Sequence, residues 1–229
     1  VQALAHIAKR LLSSSNALML SAIASGFVSS TATIASLGME VRAGRGEARI
    51  NAGAALMSCV ATLAQMLIIV AGVNLAWFKL LIIPSLLGIA ILVVAGVWLL
   101  KRHKNTATAK PETDTRMFSL KEAAIIVATL TAIQAMVYGL EQTLGDAGLI
   151  IGTLLASLFE VHGAIATVVM QGPPSQKVLL YALILGLVAH AIAKCVNAVL
   201  IGGLRFALYF APAQILHMLA LVAILYMMV

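Results

Sequence analysis

The chain has 229 residues, of which 62% are hydrophobic and 10% are charged, and its mean hydropathy is +1.06. These values lie outside the range of soluble globular domains and indicate an integral membrane protein. Its apolar runs are about 20 residues long and apolar on every face, which excludes the short alternating strands of a membrane barrel. The formal net charge of +7 is accounted for by membrane topology, so it gives no reason to expect nucleic acid as a partner.

Each apolar run is long enough to cross the hydrocarbon layer as a helix. The seven runs, in chain order, are 16–38, 50–73, 77–100, 120–140, 147–170, 179–202 and 206–229. Residues 1–12 resemble the last turns of a further helix. The sequence therefore predicts an all-α polytopic membrane protein with seven transmembrane helices plus the end of an eighth.

The basic residues are unevenly divided between the two sides of the predicted topology. If the runs alternate sides, one side receives Arg42, Arg45, Arg49, the basic residues of the 101–121 region and Lys177. By the positive-inside rule this side is cytoplasmic. We therefore expect a multi-pass membrane protein with a cytoplasmic linker and a cytoplasmic C-terminus.

The chain aligns with itself at a shift of 131 positions. Residues 16–35 then fall on 147–166, and the hydrophobic pattern is kept. A unit of four helices returns the chain to its starting side, so this alignment predicts two parallel repeats related by an axis along the membrane normal. The predicted domains are residues 1–100, a first repeat with an incomplete first helix, a linker at 101–119, and a second repeat at 120–229.

Polar side chains from several runs lie near one depth in the membrane. Burying a charge at the bilayer centre costs on the order of 2.5–3.5 kcal/mol, so such residues need partners or a water-filled cavity. The candidate binding residues are Ser29, Ser30, Thr31, Thr33, Glu160, His162, His190 and Lys194. Secondary candidates are Thr62, Gln65, Gln134, Asn197 and His217.

Each of these residues also has a purely structural interpretation. Glu160 and Lys194 form either an ion pair that locks two helices or a cation or proton site with Lys194 as its counter-charge. Lys194 could instead extend toward the outer interface. The histidines are helix-packing groups, a proton relay or metal ligands, with no spacing that identifies a metal. No cofactor is expected beyond a bound cation, since no haem-attachment motif is present.

Glu160 and His162 are two positions apart and do not share a face of a regular helix. A helix broken at Val161–Gly163 would expose backbone groups to a cavity, as in the discontinuous helices of transporters. A straight helix with His162 turned to another neighbour is the alternative. Small residues predict close helix packing and make a homodimer plausible. They are Gly26, Gly152, Ala156, Gly163, Gly186, Gly202 and Gly203.

Three segments carry a resemblance to a known family: GFVSSTATIASLGMEVRAG, GDAGLIIGTLLASLFEVHGAIATVV and LVAHAIAKCVNAVLIGG. The chain resembles an uncharacterised bacterial membrane domain of unknown function that is found C-terminal to MgtC/SapB-type regions. The family pattern has two aspartates where Glu160 and His162 stand, an asparagine where His190 stands, and an arginine nearest to Gln65. Lys194 keeps the family's lysine. The resemblance implies a divergent member, located in the bacterial inner membrane, with magnesium or a related ion suggested by context.

Three functions follow as hypotheses. The first is a transporter or permease for a small inorganic cation, magnesium or proton-coupled, with a site where residues 29–33 and 160–163 meet at the repeat interface. The second is a non-transporting sensor or regulatory module, in which the polar cluster only packs helices. The third, an enzyme acting on lipid, is disfavoured because the titratable residues lie far from the headgroups. We therefore expect no enzyme activity.

Overall fold

The computed structural model describes residues 14–101, 131–132 and 135–228. The described chain is helical, and residues 135–144 form a helical segment before α4. The named helices are α1 (Ser14–Arg42), α2 (Ala48–Val73), α3 (Leu75–Lys101), α4 (Asp146–Phe159), α5 (Val161–Gln171) and α6 (Lys177–Met228). The predicted eighth helix at 1–12, the linker at 102–119 and Gln134 lie outside the described residues.

Four helices of the described chain are long and apolar enough to cross a membrane: Ala17–Arg42, α2, α3 and α6. The protein is therefore embedded in a membrane. At 52 residues, α6 is too long for one crossing of the ~30 Å hydrocarbon layer, which about 20 helical residues span. Its backbone is non-helical at Gly203, with φ 80° and ψ 170°, a conformation that glycine adopts without steric cost. Gly203 thus separates the predicted runs 179–202 and 206–229.

The predicted run 147–170 corresponds to two shorter helices, α4 and α5, and most of the predicted run 120–140 falls outside the described residues. The described chain therefore supports an all-helical membrane protein, whereas the count of seven helices stays a prediction.

The chain divides into two compact units. Unit 1 draws on Val1–Gln65, Pro84–Glu112 and Lys194–Ala223. Unit 2 draws on Met66–Ile83, Thr113–Ala193 and Ile224–Val229. The helices α2, α3 and α6 each contribute residues to both units, and the predicted domains stay a prediction.

Glycines bring the helices of unit 1 into close contact. A Cβ atom on Gly26 of α1 would lie 2.5 Å from the carbonyl oxygen of Ser58 in α2, and one on Gly38 would lie 2.9 Å from Cα of Gly202 in α6. Side chains cannot enter such contacts. The apolar core beside them contains Ala22, Ile50, Ala54, Met57 and Leu100. Dispersion contacts between small residues are the main attraction between helices in lipid.

One end of unit 1 is held by arginines. Arg42 Nη1, at the end of α1, donates to the Leu200 carbonyl at 2.7 Å. The Arg49 guanidinium lies 4.9 Å from the ring centroid of Trp98, a cation–π contact, and its Nη2 donates to the Trp98 carbonyl at 3.3 Å. The end of α1, the start of α2 and the end of α3 therefore meet with the part of α6 around Leu200.

Unit 2 has two local arrangements that position the second half of the chain. A Cβ atom on Gly152 of α4 would lie 3.0 Å from Cα of Val137 in the 135–144 segment. At the junction of α2 and α3, Asn74 Nδ2 donates to the Val169 carbonyl at 3.2 Å, and Trp77 Nε1 donates to the Gly172 carbonyl at 2.7 Å. The end of α5 is thereby fixed beside the junction of α2 and α3.

Candidate functional site

The helix α1 is broken at Ser29. Its backbone there has φ −165° and ψ 109°, extended values in the middle of the helix. The Ser29 hydroxyl oxygen accepts a hydrogen bond from the Ala32 amide at 3.2 Å, as an N-cap residue does for the turn that follows it. Thr33 Oγ1 lies 2.9 Å from the Ser29 carbonyl and 3.0 Å from Ser25 Oγ. The hydroxyls predicted as binding groups therefore also complete the backbone of a discontinuous helix.

A second break separates α4 from α5 at Glu160. Its backbone has φ −146° and ψ 104°, and its carboxylate caps α5. Glu160 Oε1 accepts from the His162 amide at 2.6 Å and lies 2.7 Å from His162 Nδ1. The predicted break is confirmed, one residue before the expected position. It also brings Glu160 and His162 together, which a regular helix would not allow.

The two breaks occupy matching positions in the chain. Ser29 and Glu160 are separated by the 131 positions of the internal alignment, and both backbones are extended. Each residue caps the helix that follows it, one through a hydroxyl and the other through a carboxylate. The elements after each break also follow the same order. The rest of the broken helix is followed by a short loop, a helix, one non-helical residue (Asn74 or Gly203) and a further helix.

Lys194 lies at the centre of a hydrogen-bonded chain in unit 1. The residue is only 2% exposed, and its extension toward the outer interface stays a prediction. Lys194 Nζ donates to Thr62 Oγ1 at 3.1 Å, and Thr62 Oγ1 donates to Ser30 Oγ at 2.8 Å. The sulfur of the buried Cys59 lies 3.7 Å from Nζ. Ser30, Thr62 and Lys194, three predicted residues from three helices, are therefore in contact.

Asn197 extends this arrangement by one turn of α6. Its Nδ2 donates to the Thr31 carbonyl at 3.3 Å. Because residues three apart share a helix face, Lys194 and Asn197 approach α1 from the same side. The residues that directly follow the Ser29 break, Ser30 and Thr31, are thus both connected to α6.

The two histidines of α6 have different surroundings. His190 is buried in unit 2 and its Nδ1 lies 2.9 Å from the Ser157 carbonyl of α4. His217 is buried in unit 1 beside α3, where a Cβ atom on Gly88 would lie 3.5 Å from its Cδ2.

The remaining candidate residues are less informative about the site. Gln65 is half-buried and Gln134 lies outside the described residues. Glu160 and Lys194 each have partners within their own unit, and a pairing between them stays a prediction. In the described part of the chain, no group of three or more His, Cys, Asp or Glu side chains is arranged to hold a metal ion.

Sequence reasoning missed the break at Ser29 and the roles of Cys59 and Asn74. The alignment contained the signal for Ser29, since it places this residue on Glu160 next to the expected break. Asn74 was also recognisable, as an amide side chain between two apolar runs joined without a loop. Nothing in the sequence indicated that Cys59 lies beside Lys194, because that contact depends on how α2 and α6 pack.

The fold and these buried polar contacts define an all-helical, multi-pass membrane protein with interrupted helices. The chain belongs to the family described as Domain of unknown function (DUF4010), whose model matches residues 1–202. The matched region ends one residue before the non-helical Gly203. Neither the curated proteins nor the solved structures include a match to this chain. The resemblance to an uncharacterised domain is confirmed, and its association with MgtC/SapB-type regions stays a prediction.

Proposed function

We propose that the protein is a transporter or permease for a small inorganic cation. The observation that carries the proposal is the pair of helix breaks at Ser29 and Glu160, with nearly the same backbone conformation in two apolar segments. Non-helical backbone at membrane depth is tolerated only where protein covers it or where it lines a water-filled cavity. Transporters use such discontinuous helices to present oxygen atoms to an ion.

The repeated order of elements supports two structural repeats, at 1–100 and 120–229. In each, a broken helix is followed by a short loop, a helix, a single non-helical residue and a last helix. The recurrence of a break, a loop and a non-helical residue in the same order supports structural repeats more strongly than the alignment of an apolar sequence with itself does. Transporters commonly have internal repeats, with their sites near the bilayer midplane.

The two repeats are either parallel, as predicted from a four-helix unit, or inverted, as in many transporters. The positions of their loops across the membrane distinguish the two arrangements.

Inverted repeats would put the loops 43–47 and 172–176 on opposite sides of the membrane, whereas the charge count predicts that both are cytoplasmic. The test uses single exposed cysteines, Ala43→Cys and Ser175→Cys, in a background with Cys59→Ala and Cys195→Ala. A membrane-impermeant maleimide should label both cysteines in sealed inside-out vesicles and neither in right-side-out vesicles, as the charge count and parallel repeats predict. Labelling of only one of them in each preparation would favour inverted repeats.

Glu160 is the candidate that favours a cation over an anion as the substrate. Its carboxylate is negatively charged when ionised, and about one-third of its side chain is exposed. An ionised carboxylate buried in the membrane costs free energy unless it has a partner or binds a cation. Magnesium is the candidate substrate that the family context suggests, and it prefers oxygen ligands. Proton coupling is the other candidate. That the site lies where the repeats meet stays a prediction of the sequence.

The proposal is tested by uptake into proteoliposomes loaded with reporter dyes, with Mg²⁺, Na⁺ and K⁺ supplied separately. Glu160→Gln keeps an oxygen that can cap α5 and removes the charge, so uptake should fall at least tenfold. Glu141→Gln is the matched control, since this half-buried carboxylate accepts a hydrogen bond from Gln171 at 2.6 Å. Uptake unaffected by Glu160→Gln would exclude Glu160 from the mechanism.

The alternative is a non-transporting sensor or regulatory module. The contacts between Glu160 and His162 favour it, because they satisfy one carboxylate oxygen and a helix end at the same time. A module of this kind needs no ion pathway, so no cation should enter proteoliposomes above the leak of empty vesicles. A partner protein that copurifies in mild detergent, together with absent uptake, would favour this alternative.

A further inference from the structure

We propose that one end of unit 1 is a binding site for the phosphate group of an anionic phospholipid. Its cationic residues come from the end of α1, the loop after α1, the start of α2, the end of α3 and the part of α6 that follows Gly203. They are, in that order, Arg42, Arg45, Arg49, Lys101 and Arg205, and we call this region the basic end. Lipid binding at the basic end is independent of whether the protein transports an ion.

Close packing of α1 against α6 places Arg42 and Arg205 at the same end of unit 1. Arg42 Nη1 donates to the Leu200 carbonyl at 2.7 Å, and a Cβ atom on Gly38 would lie 2.9 Å from Cα of Gly202. Arg205 follows Gly202 by three residues, which span at most about 11 Å. The exposed Arg205 is therefore close to the end of α1.

Contacts between α2 and α3 bring Arg49 and Lys101 to this end and indicate its depth in the membrane. Arg49 Nη2 donates to the Trp98 carbonyl at 3.3 Å, and its guanidinium lies 4.9 Å from the centroid of the Trp98 ring. Lys101 is exposed and lies about one helical turn after Trp98. Trp98 is 56% exposed, and tryptophans of membrane proteins are concentrated at the depth of the lipid headgroups. The basic end therefore lies at the depth where lipid phosphates are found.

The described residues of the basic end have an excess of positive charge. Two acidic residues, Glu40 and Glu47, accompany the five cations and leave a net charge of +3. Glu40 Oε1 lies 3.5 Å from Arg45 Nη2, but the Arg45 side chain is 62% exposed, and exposed ion pairs hold their partners weakly. Apart from Lys194, every charged residue of unit 1 that the structure describes lies at this end. This concentration of charge fits an anionic partner.

The residue types favour phosphate oxygens as the bound group. A guanidinium has five N–H donors, two of which can bind two oxygens of one phosphate. Arg42 uses one of these donors for the Leu200 carbonyl, so the contact that positions this side chain leaves donors for a ligand. Basic residues beside a membrane attract anionic lipids by about one order of affinity unit for every one or two charges. An anionic phospholipid supplies both the charge and the depth that the basic end requires.

Tryptophan fluorescence provides a readout located at the basic end. The chain has two tryptophans, of which Trp98 is exposed and Trp77 is buried. The purified full chain in neutral detergent is titrated with brominated phosphatidylglycerol, which quenches a tryptophan that it contacts. Saturable quenching is expected, and brominated phosphatidylcholine at the same concentrations should quench less, because its headgroup has no net charge.

The test variant is Arg45→Gln combined with Arg205→Gln, two exposed positions that hold no helix contact shown among the described residues. It should weaken the binding of phosphatidylglycerol about thirtyfold, which corresponds to about 2 kcal/mol. The matched control, Lys79→Gln with Lys177→Gln, removes the same charge from exposed positions in unit 2. Its binding should stay within about twofold of the wild type, because distant exposed charges are screened by salt.

Equal weakening in the two double variants would show that the lipid responds only to the net charge of the chain, and would overturn the proposal. Equal quenching by the two brominated lipids would overturn it as well. Inorganic phosphate that displaces the lipid better than chloride of equal ionic strength would assign the basic end to a free anion and exclude the lipid. Should the double variant not fold, Lys101→Gln alone should weaken binding about fivefold, and unchanged binding in this variant would contradict the proposal.

Discussion

The two helix breaks have nearly the same backbone and different chemistry. At Ser29 a neutral hydroxyl accepts from the amide three residues later. At Glu160 a carboxylate accepts from the amide two residues later and contacts the ring of His162. The extended conformation is therefore common to both halves of the chain, while the charge is present in only one. The sequence therefore specifies the position of a break separately from the charge that stands at it.

The largest expected effect comes from giving the second break the side chain of the first. Glu160→Ser retains a capping oxygen and removes the carboxylate, so ion uptake into proteoliposomes should fall at least tenfold, which corresponds to about 1.4 kcal/mol or more in the rate-limiting barrier. The far-ultraviolet circular dichroism spectrum should remain helical, because serine is also a good N-cap. Uptake retained at the wild-type rate would mean that the charge difference between the breaks has no role in transport.

The next effect compares the helix turn that precedes each break, where Gly26 and Ser157 occupy matching positions. A Cβ atom on Gly26 would lie 2.5 Å from a backbone oxygen, and backbone cannot yield easily. Gly26→Ala should lower the free energy of unfolding in detergent by about 1–3 kcal/mol. Ser157→Ala removes a buried hydroxyl that has no hydrogen bond among the described residues, so it should change stability by less than about 1 kcal/mol.

Gly72 provides the control for this comparison, since a Cβ atom there would meet nothing within 4 Å. Gly72→Ala should leave stability unchanged or raise it slightly, because alanine favours helix over glycine. If Gly26→Ala were as well tolerated as Gly72→Ala, the close approach of α1 and α2 would be in error.

The sequence was sufficient to predict the membrane class and the start and end of α2 and α3, because about 20 apolar residues are required to cross hydrocarbon. It also predicted the second break, since Glu160 and His162 conflict with a regular helix. It did not predict the first, because Ser29 lies among residues that fit a helix and its only signal was the alignment with Glu160. The local composition does not determine at which residue the backbone of α1 leaves helical geometry.

Contacts between helices were harder to predict than the helices themselves. Ser30, Thr62 and Lys194 were each identified from depth in the membrane, and their contact is consistent with that reasoning. The hydrogen bond between Arg42 and Leu200 could not be anticipated, because helix direction in the bundle follows from packing. The predicted sidedness rests on a count of basic residues and stays a prediction.

The caps themselves should differ in strength. Glu160→Ala removes both a cap and a negative charge at the start of α5, and we expect a loss of about 1–2 kcal/mol. Ser29→Ala removes only a neutral cap, for a loss of about 0.5–1 kcal/mol. Both are measured as the free energy of unfolding in detergent. Equal losses would indicate that the charge at Glu160 adds nothing to the cap and is retained for another reason.

The smallest effect concerns a hydroxyl that is present beside only one break. Thr33 Oγ1 lies within hydrogen-bond distance of the Ser29 carbonyl and of Ser25 Oγ, whereas the matching position in the second half is Ala164. Thr33→Val keeps the side-chain shape and should lower the free energy of unfolding by about 0.5–1 kcal/mol, because it removes a donor next to the interrupted backbone.

Thr167→Val is the matched control. Its hydroxyl also bonds a carbonyl four residues earlier, Gly163 at 2.9 Å, but in a continuous helix, where that bond adds little stability. A loss at Thr167 as large as that at Thr33 would show that the hydroxyl near Ser29 has no special part in holding the break, leaving the Ser29 cap and the contacts of Ser30 and Thr31 with α2 and α6 to do so.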